Sequence, residues 1–163
     1  MTPETAGIAP GDRVDVAFLP QVNEYRGERS VQLNVVDIRP SCTAPCGTRT
    51  AGYRLLREDR LDRETAEKLL PPRQTLATVW RYLSTQGTGE ESPVCLCRKI
   101  VRWSDQPLDL EQLLTCLDIF QDVGLLREQR TRNSMHTELT PGPGKTDLNE
   151  SQTMQRLLRA KES

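Results

Sequence analysis

Histidine is almost missing from this chain: His136 is the only one in 163 residues. That excludes metal centres built from several imidazoles. A serine triad would have to use His136, which sits among polar residues with no nucleophile elbow near it. Aromatic residues make up 4% and hydrophobic residues 36%, thin for a globular chain yet above the disordered range. No apolar run approaches the roughly 18 residues of a membrane helix, so no membrane partner is expected. The start, Met1-Thr-Pro-Glu-Thr5, lacks the basic end and apolar stretch of a secretory signal. The five cysteines, an odd number, fit a reducing cytoplasmic setting rather than a disulfide scaffold. Charge is balanced as well, 22 Lys and Arg against 23 Asp and Glu. A chain of net charge -1 has no long-range field for nucleic acid, so any such contact must come from a local patch. These absences leave no catalytic residue to nominate.

What is present comes in two kinds. Over residues 12–38 the pattern is that of two strands. Val14, Val16 and Phe18 alternate with outward residues, and so do Val31, Leu33 and Val35. Val36 and Ile38 then fall in the opposite phase, which predicts a bulge or a strand buried on both faces. Asn23-Glu-Tyr-Arg-Gly-Glu28 lies between, with Gly27 as the turn residue of a hairpin. Residues 41–60 read as a linker, its first half rich in Pro, Gly, Ser and Thr.

Helical periodicity takes over from residue 61. Asp62 caps a short helix ending before Pro71-Pro72. Leu76, Val79, Trp80 and Leu83 follow the i, i+3, i+4, i+7 rule. After a polar loop from Thr85 to Ser92, a helix runs from Pro93 to Trp103. Asp109 caps a third, striped with Leu110, Leu113, Leu114, Leu117 and Phe120, and Gly124 stops it. Leu125–Arg130 and Met135–Leu139 suit two short strands. Beyond a break at Thr140–Gly144, Met154, Leu157 and Leu158 share one helical face. The fold class expected is therefore α+β. Three helices followed by a short hairpin is the order of a winged helix-turn-helix, over 61–140, with a tail carrying a short helix over 141–163.

Pro10-Gly-Asp-Arg-Val-Asp-Val-Ala-Phe18, Val22-Asn-Glu-Tyr-Arg-Gly-Glu-Arg-Ser-Val-Gln-Leu33 and Asp37-Ile-Arg-Pro40 resemble the C-terminal OB-fold of the RecJ single-stranded-DNA exonucleases, matching its last two strands. The rest resembles the extra C-terminal domain of RecJ proteins from Gram-positive-type bacteria. The carriers there are residues 70–83, Cys116-Leu-Asp-Ile-Phe-Gln-Asp-Val-Gly-Leu-Leu126 and Lys145-Thr-Asp-Leu-Asn-Glu-Ser151. The resemblance implies a partial OB-fold, a β-hairpin remnant over 1–40, and a role in recombination and repair. The family's nuclease core holds manganese with Asp and His residues; no such motif stands here. The expectation is a non-catalytic C-terminal fragment with no cofactor of its own. The alternative is a stand-alone winged-helix-like adaptor that binds protein.

Three groups of residues bear on partners. In an OB-fold the loop joining the last two strands grips oligonucleotides. Tyr25 would stack on a base, and Arg26 and Arg29 would meet phosphates, although Glu24 and Glu28 offset them. Arg98, Lys99 and Arg102, with Arg73 and Arg81, form either a basic face for DNA or an ordinary solvated helix surface. From 105 to 122 the third helix carries Asp105, Asp109, Glu111, Asp118 and Asp122 without one Lys or Arg. Phosphate would repel it, so core packing under a solvated acidic face is expected, and a repair or replication protein as partner rather than duplex DNA. Cys42-x-x-x-Cys46 and Cys95-x-Cys97 depart from zinc-ribbon spacing, and no metal is expected. The hairpin, lacking other barrel strands, should be mobile or hide its apolar face against the helices or another copy of the chain.

Overall fold

Alternation over residues 14–40 produces a long antiparallel hairpin, β1 (Val14–Tyr25) and β2 (Glu28–Pro40). The computed structural model describes Ile8, Pro10 and residues 14–40, 50–131, 134–142 and 145–163. Register runs from Val14 opposite Pro40 to Tyr25 opposite Glu28. It shifts once: Ala17 pairs with Asp37 and Phe18 with Val35, leaving Val36 as the extra residue of a bulge. The phase change in the sequence marks that position. Directly opposed residues share a face. Val16, Phe18, Pro20 and Val22 therefore lie with Val31, Leu33, Val35 and Ile38. Gln21 and Asn23 lie with Gln32 and Asn34 on the other face. There, the Asn23 amide donates to Gln32 Oε1 at 2.7 Å and the Asn34 amide to Gln21 Oε1 at 2.9 Å.

The chain divides into two units, Met1–Pro45 and Cys46–Ser163. The second is built from α1 (Ala51–Arg57), α2 (Arg63–Leu69), α3 (Arg73–Gln86), β3 (Glu90–Glu91), α4 (Pro93–Ser104), α5 (Leu110–Asp122), β4 (Leu126–Arg130), β5 (Met135–Leu139) and α6 (Gln152–Glu162). Side chains cap these helices where the sequence places them. The carboxylates of Asp62 and Asp109 accept from the amides of Thr65 and Gln112, both at 2.7 Å. Ser92 Oγ accepts from the Cys95 amide. Gly124, at φ +77, takes the left-handed position that ends α5. The three strands form an antiparallel sheet in the order β3-β5-β4.

Two hydrophobic clusters make the core of this unit. One gathers Leu76, Val79, Leu83, Leu96, Ile100, Leu126, Met135 and Met154 around Leu113, Cys116, Leu117, Ile119 and Phe120 of α5. The other joins Tyr53, Leu56, Ala66, Leu69 and Leu157 to Leu110 and Leu114 of the same helix. Eight of the 13 residues of α5 are buried.

Three elements differ from the sequence reading. Helix α1 lies inside the stretch assigned to the linker. Its start is held by a distant residue, for Glu111 Oε1 accepts from the amides of Gly52 at 2.8 Å and Tyr53 at 3.3 Å. Strand β3 lies in the polar loop. It spans two residues, too few for any period to register, and exists because β5 pairs with it. The C-terminal helix is no tail: Met154 and Leu157 enter the two clusters. No helix of the described residues is long and apolar enough to cross a membrane.

Candidate nucleic-acid interface

The hairpin turn is narrower than the sequence implied. Strand pairing continues to Tyr25 and Glu28, so Arg26 and Gly27 alone form the loop. Both have positive φ, +53 and +85, the signature of a type I′ turn. Glycine accepts that region freely, whereas for arginine it costs about 1 kcal/mol or more. The strained residue is also the exposed cation of the tip. Its guanidinium lies over the Tyr25 ring, 5.2 Å from the centroid, and Tyr25 is 72% exposed. A flat ring with a cation beside it offers a base a stacking surface and a phosphate a partner. Arg29 stands three residues away and is bound to Glu24, Nε to Oε2 at 3.3 Å, both well exposed. Such a pair exchanges readily for a phosphate.

The second basic group is a different environment. Lys99 Nζ lies 2.7 Å from Glu91 Oε2, and both side chains are largely covered. Burial works against the Lys99 charge. The hydrogen bond and charge of Glu91 outweigh it and hold the ammonium above its ordinary value. Lys99 therefore fastens α4 to β3. Arg98 is half-buried, while Arg102 is exposed, as are Arg73 and Arg81. The five residues are thus not one open cationic face, because the central lysine is spent on an internal ion pair.

The acidic residues of α5 carry the largest correction. A solvated acidic face was expected; three of its carboxylates instead bind neighbouring elements. Glu111 caps α1, as above. Asp118 Oδ2 accepts from the Tyr53 hydroxyl at 2.7 Å, and Asp118 Oδ1 from Arg130 at 3.0 Å. Arg130 also donates to Tyr53 Oη and pairs with Glu128. Arg57 approaches Asp118 at 3.8 Å. Asp122 Oδ2 accepts from Ser151 Oγ at 2.7 Å and from the Thr153 amide at 2.8 Å, fixing the start of α6. Burial raises Asp118, against the pull of Tyr53, Arg130 and Arg57. Burial first, then the charge of Asp118, raises Tyr53 above the usual phenol value. Among the described residues, helix α5 is thus enclosed by α1, α6 and β4, with only its last turn, Gln121 and Asp122, exposed, which leaves little of it to enter a DNA groove. The signal was missed because these partners lie on other elements, 12 to 65 residues away in sequence.

Of the thiols, Cys116 is fully buried, and burial pushes it well above its ordinary value. It packs as the small hydrophobe expected of it. Cys97 Sγ lies 3.3 Å from the Leu108 carbonyl. Cys42 and Cys46, weighed with Cys95 and Cys97 for zinc and set aside, lie outside the described residues. Among the described residues, no three His, Cys, Asp or Glu side chains stand together to hold a metal ion. His136 is exposed on β5, opposite Gln129 and Glu90.

No protein-family model, no curated protein and no solved structure matches the chain.

Proposed function

We propose that this chain is the non-catalytic, C-terminal part of a RecJ-like 5′–3′ single-stranded-DNA exonuclease, adding a weak single-strand contact and a protein-docking domain in recombination and repair. The observation that carries the reading is the one-sided hairpin. Its two long strands have one apolar face, one amide-rich face, and Tyr25 beside Arg26 at the tip. That fits the expectation for the last two strands of an OB-barrel, which pack inward on one side and grip oligonucleotides at the rim. For the second unit, the order α3-β3-α4-α5-β4-β5 with sheet order β3-β5-β4 supports a winged-helix-like domain. In such a domain α5 would be the groove-reading helix. Its enclosure favours a protein partner over duplex DNA.

Few phosphates are within reach of Arg26 and Arg29, so single-strand binding should be weak. The expected Kd is beyond about 10 micromolar at physiological salt, with a shallow salt slope of roughly -0.7 per neutralised phosphate. Fluorescence anisotropy of a labelled oligonucleotide across a salt series measures both. Tyr25→Ala with Arg26→Ala should abolish what binding there is. Submicromolar affinity, or indifference to that double variant, would place the site elsewhere.

The second reading is a stand-alone adaptor without a nuclease role. The internal pairing of Lys99 with Glu91 favours it, because it removes a cation from the only other basic cluster nominated for DNA. A neighbouring reading frame that encodes the Asp- and His-rich manganese motif would decide for the nuclease.

A further inference from the structure

Within the hairpin itself, the described residues leave one broad apolar face exposed. Val22, Val31 and Val35 are 66%, 69% and 61% exposed, and Phe18 and Leu33 about half exposed. With Val16 they present on the order of 500 Å² of contiguous apolar surface, at the upper end of what monomers tolerate. The opposite face carries the side-chain amide pairs, with Leu19 exposed among them. We infer that the apolar face is an interface between two copies of this chain, with β1 of one copy lying over β2 of the other.

Charge fixes that register. Two hairpins stacked face to face by a two-fold axis have two simple choices. An axis across the strands lays β1 on β1, antiparallel, and sets Glu24 against the partner's Val14. An axis along the strands lays β1 on β2. Because opposed residues already share a height in the hairpin, that stack sets Phe18 over the partner's Val35 and Val22 over the partner's Val31. It also sets Glu24 against the partner's Arg29, and Arg29 against the partner's Glu24. Glu24 and Arg29 already pair within each hairpin; stacked in this way the two pairs meet with opposite charges facing, and only this choice is charge-complementary. Sheets stacked in this way lie about 10 Å apart with their strands within roughly 30°. Two such faces together bury on the order of 1,000 Å², the low end for a specific interface, so the dimer should be of micromolar strength. The inference does not need the nuclease reading; in a complete OB-barrel the same face would pack on the remaining strands, so self-association and barrel closure are alternative covers of one surface. Tyr25 sits on the other face of the hairpin, so Tyr25→Ala tests DNA contact and Val22→Glu tests self-association separately, whereas Arg29 serves both.

Sedimentation equilibrium of the whole chain from about 5 to 500 micromolar is the test. The mass should rise from 18.5 kDa towards twice that value. Val22→Glu and Val31→Glu should each raise the dimer Kd at least tenfold. Leu19→Glu, at an equally exposed position on the opposite face, should change it less than about twofold. Circular dichroism would confirm that the helices persist in each variant. Glu24→Arg chains mixed with Arg29→Glu chains should associate more tightly than either variant alone, because each arginine then meets a glutamate across the interface. A chain monomeric throughout the range overturns the inference. In that case slow amide exchange over residues 14–40 would assign the cover to the same chain, and fast exchange to another protein. A dimer indifferent to Val22→Glu, or a mixture no tighter than its parts, overturns it equally.

Discussion

Tyr53 donates its hydroxyl proton to Asp118 and accepts from Arg130, whose guanidinium also covers its ring at 5.3 Å. One phenol therefore ties α1 to α5 and β4. Removing it leaves Asp118 with one donor fewer in a largely buried place, so Tyr53→Phe should cost about 1–2 kcal/mol near neutral pH. Its folded proton affinity is raised from the ordinary value of 10.0. The unfolded chain thus releases that proton first. The stabilisation is whole below about pH 10 and is lost as pH climbs through the phenol range. Urea unfolding at a series of pH values should show the wild-type advantage over Tyr53→Phe shrinking above about pH 10; an advantage that grows there would refute the assignment. Arg26 offers a second test. Asparagine tolerates the left-handed region better than arginine, so Arg26→Asn should steady the turn by about 0.5–1 kcal/mol while removing the cation. Amides of β1 and β2 should exchange a few-fold more slowly even as oligonucleotide binding falls. At this scale the sequence was only half legible. Caps such as Asp62 and Asp109 announce themselves because their partners lie three residues on. Glu111, Asp118 and Asp122 look like any solvated carboxylates, because their partners are 12 to 65 residues away.

Helix α5 shows why elements are easier to read than their surroundings. Its leucine stripe gave its place and its cap, and the structure runs from Leu110 to Asp122 behind Asp109. The stripe could not reveal that Thr115 is also fully buried or that the polar side is roofed by α1 and α6. Period reports one apolar face; a helix covered by polar staples on its other side has the same period as one facing water. Leu117 is fully buried in the larger cluster. Leu117→Ala should therefore cost about 2–5 kcal/mol, a large part of a typical domain's stability. Chemical denaturation measures it, and a cost under about 1 kcal/mol would mean that α5 is not the centre of the unit. Strands divide in the same way. The hairpin bulge was legible because an extra residue inverts the phase at Val36. Strand β3 was not, because its two glutamates belong to a sheet only through Met135 and His136.

The chain joins a unit with two hydrophobic clusters to a hairpin that, among the described residues, has none of its own. A two-stranded hairpin is marginal in water without a third partner. The apolar face of this one gains little from folding unless something covers it, for most of its side chains stay about half or more exposed when the hairpin forms. The helical unit is different: α5 is packed on both sides, and opening it exposes both clusters together. Amide exchange should therefore divide the chain. Protection should be greatest at Leu113–Phe120 and should not change with protein concentration, since those contacts are internal. Amides of β1 and β2 should exchange within roughly tenfold of the unfolded rate in dilute solution, because the opening free energy of an uncovered hairpin is near zero. Their protection should rise as concentration approaches the dimer range, by mass action on the covered form. Mass spectrometry at two concentrations, far below and well above about 10 micromolar, measures both trends in one experiment. Hairpin amides as slow as those of α5 in the dilute sample would mean that a part of the same chain holds the two strands, and the hairpin would then be a layer of the helical unit rather than an open face.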